Sequence, residues 1–142
     1  MLVKDVMTHG VNFVQRTDTV QEAAQKMSKD NVGALAVFDG NFAVGMITDR
    51  DITIRCVSEA RNPSRLKISE IMSCDVFFCS EEMTLEEAAR IMKERQVRRL
   101  LVRGRDDHVI GVLSLADLSR NKNETLAGEV LRFVTTRTHV DR

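Results

Sequence analysis

Residues 44–52 read VGMITDRDI, and residues 110–118 read IGVLSLADL. Each is an apolar run of strand type that ends abruptly at a hydroxyl residue, Thr48 or Ser114. Each carries an aspartate three places further on, Asp51 or Asp117, and a glycine three places before the hydroxyl, Gly45 or Gly111. One such strand ending in a polar knot is unremarkable. Two in matched frames imply that the chain is written twice.

A shift of 65 tests this, setting residues 3–37 on 68–102 without a gap. Met7, Val11 and Phe13 fall on Met72, Val76 and Phe78; Thr19, Glu22, Ala23, Ala24 and Met27 fall on Thr84, Glu87, Ala88, Ala89 and Met92. Val32, Leu35 and Val37 fall on Val97, Leu100 and Val102, making 11 identities in the 35 positions. One inserted residue later the shift is 66, and Gly45, Thr48 and Asp51 face Gly111, Ser114 and Asp117.

Each copy reads as strand, helix, strand, strand, helix. TVQEAAQKM and TLEEAARIM place apolar residues at i, i+3, i+4 and i+7, a single helix face. Both open on a capping box, Thr19 with Glu22 and Thr84 with Glu87. Strands are expected at VNFV, ALAVF and VGMIT in the first copy and at VFFC, RLLV and VIGVLS in the second. Short lead-ins, VKDVM and ISEIM, precede them. A final amphipathic helix is expected from about Glu124 to Thr136 with Leu126, Val130, Leu131 and Val134 on its apolar face, and the last six residues should be loose. The fold class is α+β: two β-α-β-β-α units related by a pseudo-twofold axis and packed through their sheets. The expected boundaries are 1–61 and 68–122 for the units, 62–67 for a linker holding the single proline, and 123–142 for the C-terminal helix and tail. A unit of about 60 residues is marginal alone, so pairing would serve stability and leave two quasi-equivalent clefts.

Bulk composition narrows the function classes. The 142 residues are 43% hydrophobic and 30% charged, ordinary for a globular chain. Lys and Arg total 21, as do Asp and Glu, so the zero net charge provides no sequence-independent attraction to nucleic acid or an anionic membrane. The N-terminal stretch lacks an unbroken apolar core and no run approaches 18 apolar residues, so a cytoplasmic location is expected. Cys56, Cys74 and Cys79 are odd in number and lack a framework spacing, which favours reduced thiols.

Two readings of the polar knots stand side by side. Thr48 with Asp51, and Ser114 with Asp117, can be helix N-caps with an acid at N3. The same geometry can serve a nucleotide. A strand-to-helix turn offers N–H groups and a positive dipole end to phosphate, its hydroxyl can reach ribose or phosphate, and an aspartate one turn in can accept ribose hydroxyls. Gly45 and Gly111 would then permit close backbone approach.

The Gly-apolar-apolar-Thr/Ser-x-x-Asp ending, the Met-Thr/Ser-x-x-Val start and the 65-residue duplication resemble a tandem pair of CBS domains, the Bateman module. The resemblance spans residues 1 to about 122, and TDRDI, QVRRLLV and IGVLSLADL look most like small stand-alone bacterial or archaeal members. It implies a regulatory module that binds an adenosine compound, AMP, ADP, ATP or S-adenosylmethionine, between its two domains and signals to a separate effector protein. Asp51 and Asp117 would hold ribose, and Thr48 and Ser114 would meet ribose or phosphate. Arg98 and Arg99 would meet phosphate, and adenine would lie near Val11 and Val76. The first copy has Gly33 and Ala34 where the second has the two arginines, so unequal sites are expected. Arg50 could serve a phosphate or pair with Asp49 or Asp106. The resemblance also implies a homodimer. The alternative is a ligand-free scaffold or stress-associated interaction module of the same fold.

Catalysis finds little support. There is no Gly-x-Ser-x-Gly, phosphate-binding lysine loop or His-Glu-x-x-His. His108 falls in an expected hairpin turn, and no dense Cys/His spacing suggests a metal. Cys74 and Cys79 are expected at opposite ends of one strand, facing opposite ways. No cofactor is expected beyond the adenosine ligand.

Overall fold

The structure, a computed structural model, describes residues 1–120 and 124–135. In chain order the elements are α1 (Val3–Val6), β1 (Thr8–His9), β2 (Phe13–Gln15), α2 (Val20–Asp30), β3 (Ala34–Asp39), β4 (Phe42–Thr48) and α3 (Asp49–Ile52). A π-helical turn (Thr53–Val57) and a 3-10 turn (Ile68–Glu70) lead to β5 (Phe78–Ser80), α4 (Leu85–Arg95), β6 (Arg99–Arg103), β7 (Val109–Ser114), α5 (Leu115–Arg120) and α6 (Glu124–Thr135). The α+β class and the repeated strand-helix-strand-strand-helix order are as the sequence implies.

The chain divides into two compact units. One is Asn12–Val76; the other joins Met1–Val11 to the described residues from Phe77 on, 77–120 and 124–135. Each lead-in therefore folds with the other copy's strands and helices. Val3, Val6 and Met7 are buried with Cys79, Leu85, Met92 and Leu113, whereas Leu66, Ile68 and Ile71 are buried with Val20, Met27, Leu35 and Ile47. The lead-in also adds a strand that the sequence does not announce, since β1 pairs antiparallel with β7 through Thr8–Val112 and His9–Gly111.

Within each unit the sheet follows the repeat. β2 runs parallel to β3 and β3 antiparallel to β4; β5 runs parallel to β6 and β6 antiparallel to β7. The parallel pairs need a crossover, which α2 and α4 provide. Both hairpins carry a register shift at matched places, Val37/Phe38 and Val102/Arg103. Both crossover helices end in a left-handed residue with φ 54°, Asn31 and Gln96, also matched. The capping boxes are formed: Thr19 Oγ1 accepts from the Glu22 N–H at 3.2 Å, and Thr84 Oγ1 accepts from the Glu87 N–H at 3.1 Å. The connection around Pro63 docks on the start of α2, where the Val20 and Gln21 N–H groups donate to the carbonyls of Leu66 and Pro63. Those are the first N–H groups of the helix, which no helical carbonyl can satisfy.

Three expectations are corrected. Gly45 and Gly111 do permit close approach, but to the chain itself. A Cβ on Gly45 would run into the Ser73 carbonyl oxygen, and one on Gly111 into that of Thr8, and Thr8 and Ser73 are equivalent in the repeat. The glycines let each lead-in lie against the last strand of its sheet. Cys74 and Cys79 do not share a strand, because β5 begins only at Phe78. The buried stripe of α6 is Ala127, Val130 and Val134, while Leu126 is partly buried and Leu131 is 44% exposed. Thr136 and the last six residues lie outside the described residues.

Candidate functional site

The two polar knots sit where the sequence places them, at the turns from β4 into α3 and from β7 into α5. At the second turn the Ser114 N–H donates to Asp117 Oδ2 at 2.9 Å, and the Asp117 N–H donates back to Ser114 Oγ at 3.1 Å. The first turn has the same pair, Thr48 N–H to Asp51 Oδ2 at 2.9 Å and Asp51 N–H to Thr48 Oγ1 at 3.1 Å. Each turn is also tied to the start of the neighbouring strand, Leu115 N–H to the Arg98 carbonyl and Asp49 N–H to the Gly33 carbonyl, both at 2.9 Å. The capping reading is thus realised in both copies. Three N–H groups at each turn, those of Ser114, Leu115 and Asp117 and of Thr48, Asp49 and Asp51, are thereby engaged within the protein.

Asp51 and Asp117 are buried, 1% and 2% exposed. Asp117 Oδ1 also accepts from Thr8 Oγ1 at 3.3 Å and pairs with the Arg120 guanidinium. The lead-in hydroxyl and the last residue of α5 therefore converge on the carboxylate that organises the turn. The sequence pointed to neither residue as a site residue. The matched hydroxyls after Met7 and Met72 were the available signal for Thr8.

Beside this turn lies a cavity of about 560 Å³ lined by Arg98, Arg99, Ser114, Leu115, Ala116 and Ser119, and on α6 by Ala127, Gly128 and Leu131. Its size falls within the roughly 300–1,000 Å³ of small-molecule sites. Arg98 and Arg99 are both exposed, and Arg99 stands opposite Ser114 in the β6–β7 ladder. Two guanidiniums and a hydroxyl thus meet an apolar lining, a combination suited to an anion carried on a flat or apolar body. Neither Val11 nor Val76, both partly buried, lines this cavity.

The corresponding turn in the first copy has different chemistry. Gly33 stands where Arg98 does, and the Asp49 carboxylate occupies the space beside it: a Cβ on Gly33 would come 2.9 Å from Asp49 Oδ2. Arg50 is exposed, with its N–H donating to Asp49 Oδ1 at 2.8 Å. An acidic group thus lies where the second copy places a basic one.

Burial pushes the Cys79 thiol up to about 12, so it stays protonated. His108 pairs with Asp106 at 2.9 Å on the exposed β6–β7 turn, and hydrogen bonds from His108 hold the Asp106 carboxyl below its usual range. Among the described residues no group of three or more His, Cys, Asp or Glu is placed to hold a metal, and no helix is long and apolar enough to cross a membrane.

Two β-α-β-β-α units with exchanged lead-ins and hydroxyl-x-x-Asp turns define a class, the paired regulatory module. The chain belongs to the CBS-domain family: the model of the CBS domain matches residues 3–57 and again 68–124. It is 38% identical over 135 residues to the CBS domain-containing protein YhcV of Bacillus subtilis, covering 94% of both chains. It is 30% identical over 122 residues to Hypoxic response protein 1 of Mycobacterium tuberculosis, covering 85% of both. The crystal structure of Hypoxic response protein I, with two coordinated zinc ions, superposes with a TM-score of 0.72 at 29% identity, covering 85% of this chain and 98% of that one. CBSX2 of Arabidopsis thaliana, solved in complex with AMP, is alike in fold with a TM-score of 0.69 at 24% identity, over 87% of this chain and 97% of that one.

Proposed function

We propose that this CBS pair binds an adenosine nucleotide or derivative, AMP, ADP, ATP or S-adenosylmethionine, and signals to a separate partner by a change of conformation. The observation that carries the reading is the cavity of about 560 Å³ bordered by Arg98, Arg99 and Ser114. The arginines take the phosphates, or the carboxylate of S-adenosylmethionine, and Ser114 donates to ribose or phosphate. Asp117 accepts a ribose hydroxyl on Oδ1, the oxygen now held by Thr8 and Arg120. CBSX2, of the same fold, was solved with AMP. Thr48, Arg50 and Asp51 mark the weaker counterpart, where Asp49 repels an anion. The module works as a homodimer without catalysing a reaction itself, and ligand shifts its population toward the arrangement that binds better.

Thermal unfolding against the four adenosine compounds, with GTP as control, tests this. Ligand at a hundred times its dissociation constant adds about 2.7 kcal/mol, which for a chain of this size raises the midpoint by about 8 °C. Arg98→Ala with Arg99→Ala should weaken binding about tenfold or more, since each charge-assisted bond is worth upwards of about 1 kcal/mol. No shift with any compound would leave a ligand-free interaction module.

A further inference from the structure

The Asp117 carboxylate is held by more donors than its turn requires. Oδ2 takes the Ser114 N–H at 2.9 Å, which closes the turn. Oδ1 takes the Thr8 hydroxyl at 3.3 Å and the Arg120 guanidinium as well. Asp117 is 2% exposed, whereas the Arg120 side chain is 65% exposed, so the arginine reaches in from solvent and can leave without unpacking any core. The repeat shows that the turn forms without it. Ile54 stands at the place of Arg120 in the first copy, where Thr48 and Asp51 make the same two hydrogen bonds as Ser114 and Asp117. This ion pair is thus peculiar to the copy that also sets Arg98 and Arg99 beside a cavity.

We infer that Arg120 is a specificity-determining residue that makes this site take nucleotides in preference to bare nucleosides, an inference that rests on the nucleotide reading above. Thr8 and Arg120 together occupy the acceptor sites of Asp117 Oδ1. A ribose hydroxyl reaches that oxygen by displacing a donor, and Arg120 is the one that solvent can receive. The guanidinium then gives up a charge-assisted bond, stronger than the neutral hydroxyl bond that replaces it. A nucleoside leaves this loss uncompensated. A nucleotide offers the same guanidinium a second anion nearby, because Ser114, which is bonded to Asp117, and Ser119, the residue before Arg120, both line the cavity that Arg98 and Arg99 border. Arg120 exchanges one anionic partner for another when a nucleotide binds, and is left with none when a nucleoside binds.

Calorimetric titration of adenosine, AMP, ADP and ATP into the full chain and into Arg120→Ala, Arg120→Gln and Arg120→Lys tests this. In Arg120→Ala adenosine should bind several-fold more tightly and AMP more weakly, so that the preference for AMP over adenosine falls about tenfold or more. Arg120→Gln, neutral but still able to donate to Asp117, should lose the preference as well, and it decides the matter if the alanine variant does not fold. Arg120→Lys keeps the charge and should retain most of the preference, which a merely structural role for the guanidinium would not predict. An AMP preference unchanged in the folded neutral variants overturns the role of Arg120 and leaves the nucleotide reading standing. Failure of the wild-type chain to bind AMP, ADP or ATP overturns the role of Arg120, and failure with S-adenosylmethionine too overturns the nucleotide reading itself.

Discussion

At the scale of single residues, the aspartates of the two polar knots hold the turn before they hold anything else. Asp117 takes the Ser114 N–H, the Thr8 hydroxyl and the Arg120 guanidinium while nearly wholly buried. Both oxygens of Asp117 are matched, which offsets the cost of taking its charge out of water. The exposed capping boxes provide the sharper test of local chemistry. Hydrogen bonds from the Thr84 backbone N–H and hydroxyl to Glu87 hold that carboxyl below its usual 4.5. A depressed folded-state value means the cap stabilises above about pH 4.5 and loses its effect as pH falls through the lower folded value. Thr84→Ala should cost about 1 kcal/mol near neutrality. The difference from wild type should shrink as urea midpoints are followed below pH 4. A difference that does not change with pH would show that the Thr84 hydroxyl does not help to hold the Glu87 carboxylate, leaving that to the backbone N–H.

At the scale of elements, the lead-ins are the features that organise each unit. β1 lies on β7 at Thr8 and His9, and Ser73 bridges to Met46 on β4, in both cases beside a glycine with no space for a side chain. The obstacle in each case is a backbone carbonyl, which cannot rotate away as a flexible side chain would. Gly111→Ala should therefore destabilise by about 1–3 kcal/mol, the usual cost of overpacking, seen as a lower urea midpoint. Gly45→Ala should behave likewise. Unchanged stability in both would mean that the lead-ins can shift at little cost.

At the scale of the molecule, two near-copies have diverged in charge at equivalent turns: Arg98 and Arg99 border a cavity in one, and Asp49 lies over Gly33 in the other. One strong nucleotide site per chain follows from the proposal. Arg50→Ala should accordingly change affinity by less than about twofold, under 0.5 kcal/mol, where the Arg98 and Arg99 variants lose binding. Light scattering at micromolar concentration should give twice the 16.0 kDa chain mass if the proposed homodimer is correct. A monomer would remove the dimer from the proposal without affecting the ligand site.

The duplication, the strand order in each copy, the four hydroxyl-capped turns and the basic character of Arg98 and Arg99 were legible in the sequence. Each rests on local periodicity or on residues a few places apart, and such signals survive without knowledge of the partner. The sequence also marks the lead-ins as buried, through Val3 and Val6 in one copy and Ile68 and Ile71 in the other. It does not say in which core. The two cores are lined by matching residues, so either assignment satisfies the hydrophobic pattern equally, and only the path of the chain through three dimensions selects the exchanged one. The same holds for Gly45 and Gly111, for Thr8 on Asp117 and for Gly128 on the cavity. Each depends on residues tens of positions apart along the chain or on which face of a helix meets a core, and tertiary packing decides both.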